Sequence, residues 1–358
     1  MPLWRKYFDR RRSRQEGDMS KKPLLIADPF PQSWGNIFTN RDRQRLEEMV
    51  SIKYSGDDKM ADAVFDEALP DAVAVVGQTA MPQERLKRAK KLKVIFNVEG
   101  NFYQNIDYEF CFRNSIYVLN CGEAYAQAVA EMAMGFAFDL ARGISREDRY
   151  FRAGKERYLF DAGKDAVLLS GAHVGLIGFG NLGRALRPLL TPFHCNVKAY
   201  DPWLPESVLR EHGCEPSTLE DLLSSSRFIF VLAGVTDENH GFLGEKEFDL
   251  IQHGSVFLLM SRAAVVDFDE LTKRVANGQF KAASDVWPSE PMSAEHPARS
   301  IEDFLLSPHR AGAIAQAFHK IGQMLVDDLD LILKGLPPVR MQPARRETVA
   351  RFCSRPAG

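Results

Sequence analysis

A chain of 358 residues, 45% hydrophobic and 26% charged, has enough apolar material for two domains of ordinary size, each with its own core. A formal net charge of −2 gives no electrostatic pull toward nucleic acid or an anionic membrane, and no apolar run reaches the roughly 18 residues that suggest a membrane span. Cys111, Cys121, Cys195, Cys214 and Cys353 are odd in number and lack CxxC spacing, which argues against a disulfide scaffold or a zinc site and for a reducing, cytoplasmic setting; no metal site is expected.

Residues 1–21 form a basic tail in which Arg5, Lys6, Arg10, Arg11, Arg12 and Arg14 stand among aromatics. Asp9, Glu16 and Asp18 fit a targeting segment poorly, so the tail reads as an unstructured extension, with Met19 as an alternative start. From Lys22 onward strand-like and helix-like segments alternate. Leu24–Ala27 reads as a strand, Asp42–Met49 as a helix, Ala72–Val76 as a buried strand, Gln83–Lys91 as an exposed basic helix and Leu92–Phe96 as a strand. Such alternation predicts a parallel sheet covered by helices, with Ile116–Leu119 as its last strand. A long helix over Glu123–Arg142 follows, then a charged, poorly periodic stretch, Gly143–Lys164.

The run Val174-Gly175-Leu176-Ile177 then breaks into Gly178-Phe179-Gly180-Asn181-Leu182-Gly183 and continues into a helix-compatible segment. Strand, glycine turn and helix start in this order form a dinucleotide cradle. Gly178 permits the tight turn, Gly180 lets backbone approach a pyrophosphate and Gly183 brings helix against strand. The next strand, Val197–Tyr200, ends in Asp201, where a carboxylate accepts ribose hydroxyls and repels a 2′-phosphate. Pro202-Trp203-Leu204-Pro205 supply no cation for that phosphate, so the cofactor is read as NAD. Pro188 predicts a kink or an offset start in the helix after the glycines. Further strands are expected at Phe228–Leu232, Ser255–Leu259 and Ala282–Val286, and an amphipathic helix at Ala313–Leu333 that packs back on the first domain.

Three polar residues stand just past successive strand-like segments, where ligands of doubly wound sheets collect: Arg262, Glu290 and His309. Each alone has a plain structural explanation, and their recurrence after a dinucleotide fingerprint does not. From Lys22 to Leu336 the chain resembles the D-isomer-specific 2-hydroxyacid dehydrogenase family. The resemblance rests on the glycine unit with Asp201, on Ser261-Arg262 through Val266-Asp267, on Asp285-Val286-Trp287-Pro288-Ser289-Glu290-Pro291 and on Ser307-Pro308-His309.

The resemblance implies an α/β fold of two doubly wound parallel-sheet domains. One is a Rossmann-type NAD domain over 121–312; the other is a discontinuous flavodoxin-like substrate domain over 22–120 plus 313–345, with 346–358 left as a C-terminal tail. It implies catalytic roles for Arg262, Glu290 and His309, and cofactor contacts from Gly178, Gly180, Asn181, Leu182, Gly183, Asp201, Thr236, Ser261 and Asp285, the last to the nicotinamide carboxamide. It also implies a homodimer, to which the Glu123–Arg142 helix contributes. The chemistry agrees: a 2-oxo acid needs a proton donor at its oxygen, Glu290 bonded to the far ring nitrogen orients His309, and an arginine grips a carboxylate bidentately.

Two departures stand out. Ala263 and Ala264 follow Arg262 where the family has glycine. The loop that holds the substrate carboxylate reads Asn97-Val98-Glu99-Gly100-Asn101-Phe102-Tyr103, with an atypical carboxylate. Glu99, Gly100 and Asn101, with Arg262 and His309, are the expected substrate-binding residues, and Glu99 points to a polar or hydroxylated 2-oxo acid. The alternatives are a phosphite-dehydrogenase-like reaction on the same scaffold and a non-catalytic NADH-sensing protein of the corepressor kind.

Overall fold

The computed structural model describes residues 22–54 and 56–351, so the basic tail and most of the C-terminal tail lie outside the described residues. The chain divides into two compact units, one built from residues up to Cys121 and from His319 to Val349, the other from Gly122–Phe318 with a short return at Ala350.

The first unit holds strands β1 (Leu24–Asp28), β2 (Ser51–Tyr54), β3 (Ala72–Gly77), β4 (Val94–Asn97) and β5 (Tyr117–Asn120). They lie in the order 2-1-3-4-5, all parallel, which is the flavodoxin-like arrangement. Ile116–Leu119 is therefore not the last strand: Gln342–Pro343 adds an antiparallel strand outside β5. A proline fits there because an edge strand can spare an N–H. Helix α1 (Asn40–Met49) starts on a capping box in which Thr39 and Asp42 satisfy each other's amides. The expected basic helix is helical only at Gln83–Leu86. Beyond it Arg88 and Ala89 make i to i−3 bonds, since Lys87, Arg88, Lys90 and Lys91 crowd one turn and the chain must straighten to enter β4.

The second unit opens with α2 (Gly122–Arg142), whose buried stripe is mostly alanine and packs on α3 (Asn181–Leu190). The stretch expected to lack periodicity is helical at Ile144–Arg152, started by Gly143 at φ +65°. Its seven strands are β6 (His173–Ile177), β7 (Asn196–Tyr200), β8 (Glu215–Pro216), β9 (Phe228–Val231), β10 (Val256–Leu259), β11 (Lys281–Ser284) and β12 (Phe304–Leu306). Their order is 12-11-10-9-6-7-8, all parallel, and the direction of winding reverses between β6 and β9. Successive residues face opposite layers: Phe228 and Phe230 join the core under α2 and α3, while Ile229 and Val231 join the opposite core. Burial on both faces explains why β9 and β10 read as unbroken apolar runs. Each fully buried Phe or Leu contributes about 1.5–3 kcal/mol. Helix α3 starts at Asn181 and runs through Pro188 to Leu190, so the expected offset start is absent; the proline forgoes one hydrogen bond near the helix end, where little depends on it.

Candidate active site

Parallel strands aim their carboxyl ends one way, and the order β12-β11-β10 sets the segments after them side by side. Arg262 follows β10, Asp285 and Glu290 follow β11, and His309 follows β12. His309 Nδ1 lies 2.6 Å from Glu290 Oε2. The other oxygen of that carboxylate, Oε1, accepts the Trp287 amide at 3.0 Å. The Trp287 indole Nε1–H donates to the Ser307 carbonyl at 2.8 Å, and the same carbonyl accepts the His309 amide at 3.1 Å. Trp287 is thus tied to the carboxylate and to the loop that carries the imidazole. His309 has φ +48°, a left-handed conformation that costs a non-glycine residue about 1 kcal/mol or more and persists only where the surroundings impose it.

The surroundings include Asp285, 2% exposed. Its Oδ1 accepts the Ser307 hydroxyl at 2.5 Å and the Arg310 amide at 3.0 Å, and its Oδ2 accepts the Ala311 amide at 2.9 Å. Read from sequence as a cofactor contact, this carboxylate is seen to clamp residues 307–311. A carboxylate offers about four acceptor positions, so one on Oδ2 remains. Arg262 is extended, φ −148°, and its Nη1 donates to Ser261 O at 2.7 Å. Ala263, where the family has glycine, starts a 3-10 turn without a positive φ, so its Cβ costs nothing there.

At the winding reversal, Gly178 turns with φ +91°, and a Cβ on it would stand 2.6 Å from Ala233 N. A Cβ on Gly183 would meet Gly178 O at 2.8 Å, whereas one on Gly180 would meet nothing within 4 Å. The space beside Gly180 lies at the start of α3, whose N-terminus has no side-chain cap over the amides of its first turn, Asn181, Leu182 and Gly183. Such an end is suited to an anion. Asp201 Oδ2 accepts the Phe179 amide at 2.8 Å and Oδ1 the Trp203 amide at 3.0 Å, which fixes the carboxylate at the end of β7 with acceptor capacity to spare. Thr236 Oγ1 and Ser261 Oγ, past β9 and β10, are buried hydroxyls without a hydrogen-bond partner. An open cradle with two orphaned hydroxyls fits a dinucleotide, because burying a hydroxyl with no partner is otherwise only a cost.

In the first unit the loop after β4 is organised by Asn97. Its Oδ1 accepts the Glu99 amide at 2.8 Å and Gln78 Nε2 at 2.7 Å, and its Nδ2 donates to Asn101 O at 2.8 Å. Glu99 Oε1 accepts Gln32 Nε2 at 3.2 Å, and Gly100 and Asn101 are half-buried. Phe102 and Tyr103 are buried, with Tyr103 O taking the hydroxyl of Tyr108, a phenol that burial pushes up and so keeps neutral.

Sequence reasoning passed over Trp287 and Asn97 as functional supports. The first was visible as an aromatic inside a polar motif, whereas nothing local marks the second. Among the described residues, no group of three or more His, Cys, Asp or Glu side chains is placed to hold a metal ion.

Residues 134–311 match the NAD-binding domain of D-isomer specific 2-hydroxyacid dehydrogenases. The crystal structure of a phosphoglycerate oxidoreductase from Rhizobium etli is 43% identical, with a TM-score of 0.82 over 91% of this chain and 100% of that one. A D-3-phosphoglycerate dehydrogenase of Archaeoglobus fulgidus is 29% identical over 75% of this chain, which spans 50% of that longer relative. A hydroxypyruvate reductase of Thermotoga maritima is 29% identical over 87% of this chain and 98% of its own length. With these likenesses, the chain belongs to the D-isomer-specific 2-hydroxyacid dehydrogenase family, NAD-dependent oxidoreductases that interconvert 2-hydroxy and 2-oxo acids.

Proposed function

We propose that this protein reduces a small hydroxylated 2-oxo acid, of the hydroxypyruvate type, with NADH, and runs the reverse oxidation under the opposite mass action. The observation that carries the reading is the 2.6 Å contact between His309 Nδ1 and Glu290 Oε2, which leaves Nε2 as the ring atom able to serve substrate. Bound NADH supplies the hydride to the carbonyl carbon. His309, protonated and held by Glu290, donates the Nε2 proton to the carbonyl oxygen, and in the reverse direction takes it from the hydroxyl. Arg262 binds the substrate carboxylate and polarises the carbonyl, a planar bidentate task that lysine performs less well. Gly178, Gly180, Gly183 and the amides of Asn181 and Leu182 receive the pyrophosphate, Asp201 the adenosine ribose, Thr236 and Ser261 the buried parts of the cofactor, and Asp285 the carboxamide at its remaining acceptor position.

Glu99, Gly100 and Asn101 are assigned to the substrate. The relatives are named for glyoxylate, hydroxypyruvate and phosphoglycerate chemistry. A carboxylate in the substrate loop repels a phosphate ester and accepts a hydroxyl, which favours the unphosphorylated C3 acid. The test is NADH oxidation by the purified protein with glyoxylate, pyruvate, hydroxypyruvate and its phosphate ester, and with phosphite and NAD as the opposing assay. Saturable turnover that is best with hydroxypyruvate supports the reading. Turnover of phosphite, or tight NADH binding with no turnover on any 2-oxo acid, overturns it.

The active form is proposed to be a homodimer in a reducing compartment. Among the described residues no disulfide joins Cys111, Cys195 or Cys214, and the segment after α2 exposes Ile144, Phe151, Tyr158, Phe160 and Leu168, with Leu159 92% exposed. So many large apolar side chains exposed along one segment suit an interface. Sedimentation of the wild type against Leu159→Asp reads the association.

A further inference from the structure

After a short helix in the first unit, Arg346–Val349, the chain returns to the second unit at residue 350. Arg351 lays its guanidinium on the Trp203 indole, with Cζ 4.0 Å from the ring centroid. Its carbonyl accepts the Asp237 amide at 3.2 Å. These two anchors belong to different loops. Trp203 follows β7 two residues after Asp201, and Asp237 follows β9 directly after Thr236 with its orphaned hydroxyl. In the sheet β6 lies between β7 and β9, so a segment pinned to both loops passes the carboxyl end of β6, where the glycine turn starts.

Neither partner of the stack serves the core. Trp203 is 45% exposed and Arg351 is exposed, so a large indole stands at the surface beside the crevice where a dinucleotide's adenosine would lie. Pro202-Trp203-Leu204-Pro205 contain no cation of their own, and the fold brings Arg351 to that loop. Arginine stacked on an aromatic face keeps its in-plane N–H groups directed outward while its other face remains able to cover a planar ring.

We propose that residues 350–351 form a strap over the adenosine half of the NAD site, with Arg351, backed by Trp203, as an adenosine-binding residue. The inference rests on the glycine turn being the cofactor site. The strap contributes to dinucleotide affinity and leaves the chemistry at His309 untouched.

The experiment is fluorescence titration of the full-length protein with NADH and with reduced nicotinamide mononucleotide, which lacks the adenosine. Wild type, Arg351→Ala, Trp203→Ala and the double variant are compared, and Gly180→Ala monitors the pyrophosphate cradle. The expected result is a 3- to 10-fold rise in the NADH Kd for each single variant, ~3- to 10-fold for the double, and no change with the mononucleotide. An unchanged NADH Kd in Arg351→Ala overturns the strap, and so does a tighter one, which would make the segment a plug. Equal losses with NADH and with the mononucleotide also overturn it. A Gly180→Ala protein that binds NADH like the wild type instead overturns the cofactor-site reading itself, so the two failures are told apart.

Discussion

The carboxyl ends of the two sheets handle their polar groups in opposite ways. In the second unit the end of β6 presents open space beside Gly180, an uncapped helix start and, past β9 and β10, two buried hydroxyls without partners. In the first unit the end of β4 turns inward: the Asn97 side chain holds Glu99, Asn101 and Gln78. Beside Gly180 hydrogen-bonding capacity is kept for a ligand, whereas around Asn97 most of it shapes a loop, with Asn105 Oδ1 left buried and unpartnered. The difference suits a cofactor common to a family set against a substrate particular to one chain.

Substitutions can break or sharpen that contrast. The largest expected effect is at Arg262, where loss of two charge-assisted hydrogen bonds in Arg262→Ala lowers kcat/KM by about 10²- to 10⁴-fold, with Arg262→Lys between it and wild type in steady-state assays. Next come the glycines. Gly178→Ala puts a Cβ against Ala233 at a positive φ and destabilises the second unit by about 1–3 kcal/mol in denaturant titration, whereas Gly180→Ala, with nothing within 4 Å, keeps wild-type stability and loses NADH affinity. Equal stability losses in both would mean that the space beside Gly180 is structural. Trp287→Phe keeps the ring and deletes the indole N–H bond to Ser307, so kcat falls about 3- to 10-fold with KM little changed; the pH profile of kcat separates a misplaced imidazole from general loosening. The smallest effect is expected from Glu99→Gln, which removes the charge but keeps an acceptor for Gln32, and shifts the ratio of kcat/KM values a few-fold toward the phosphate ester of hydroxypyruvate. An unmoved ratio sinks the assignment of Glu99 to the substrate.

This contrast also separates what the sequence discloses from what it conceals. A cradle built from backbone requires glycines at set spacing, and Gly178, Gly180 and Gly183 therefore leave a mark in the sequence. The placing of Arg262, Glu290 and His309 just past strand ends was legible because apolar strands punctuate the chain just before them. Parallel strands buried on both faces declared themselves as apolar runs, whereas β2, with alternating exposure, and the two-residue β8 did not. The edge strand Gln342–Pro343 has no strand signal at all, since its pairing with β5 is supplied by tertiary contact. The linkage of Trp287 to both Glu290 and Ser307 and the reach of Arg351 to Trp203 depend on segments distant in sequence meeting in space. The substrate loop is hardest to read because its shape comes from individual side-chain bonds around Asn97, which follow no period.

In the proposed mechanism His309 moves the proton while the glycine turn independently holds the cofactor. This division is tested most directly by measuring, on wild type and His309→Ala side by side, the NADH Kd by fluorescence and NADH consumption with hydroxypyruvate. The account predicts an unchanged Kd and turnover reduced by about 10²- to 10⁴-fold. Turnover that survives in His309→Ala would contradict it.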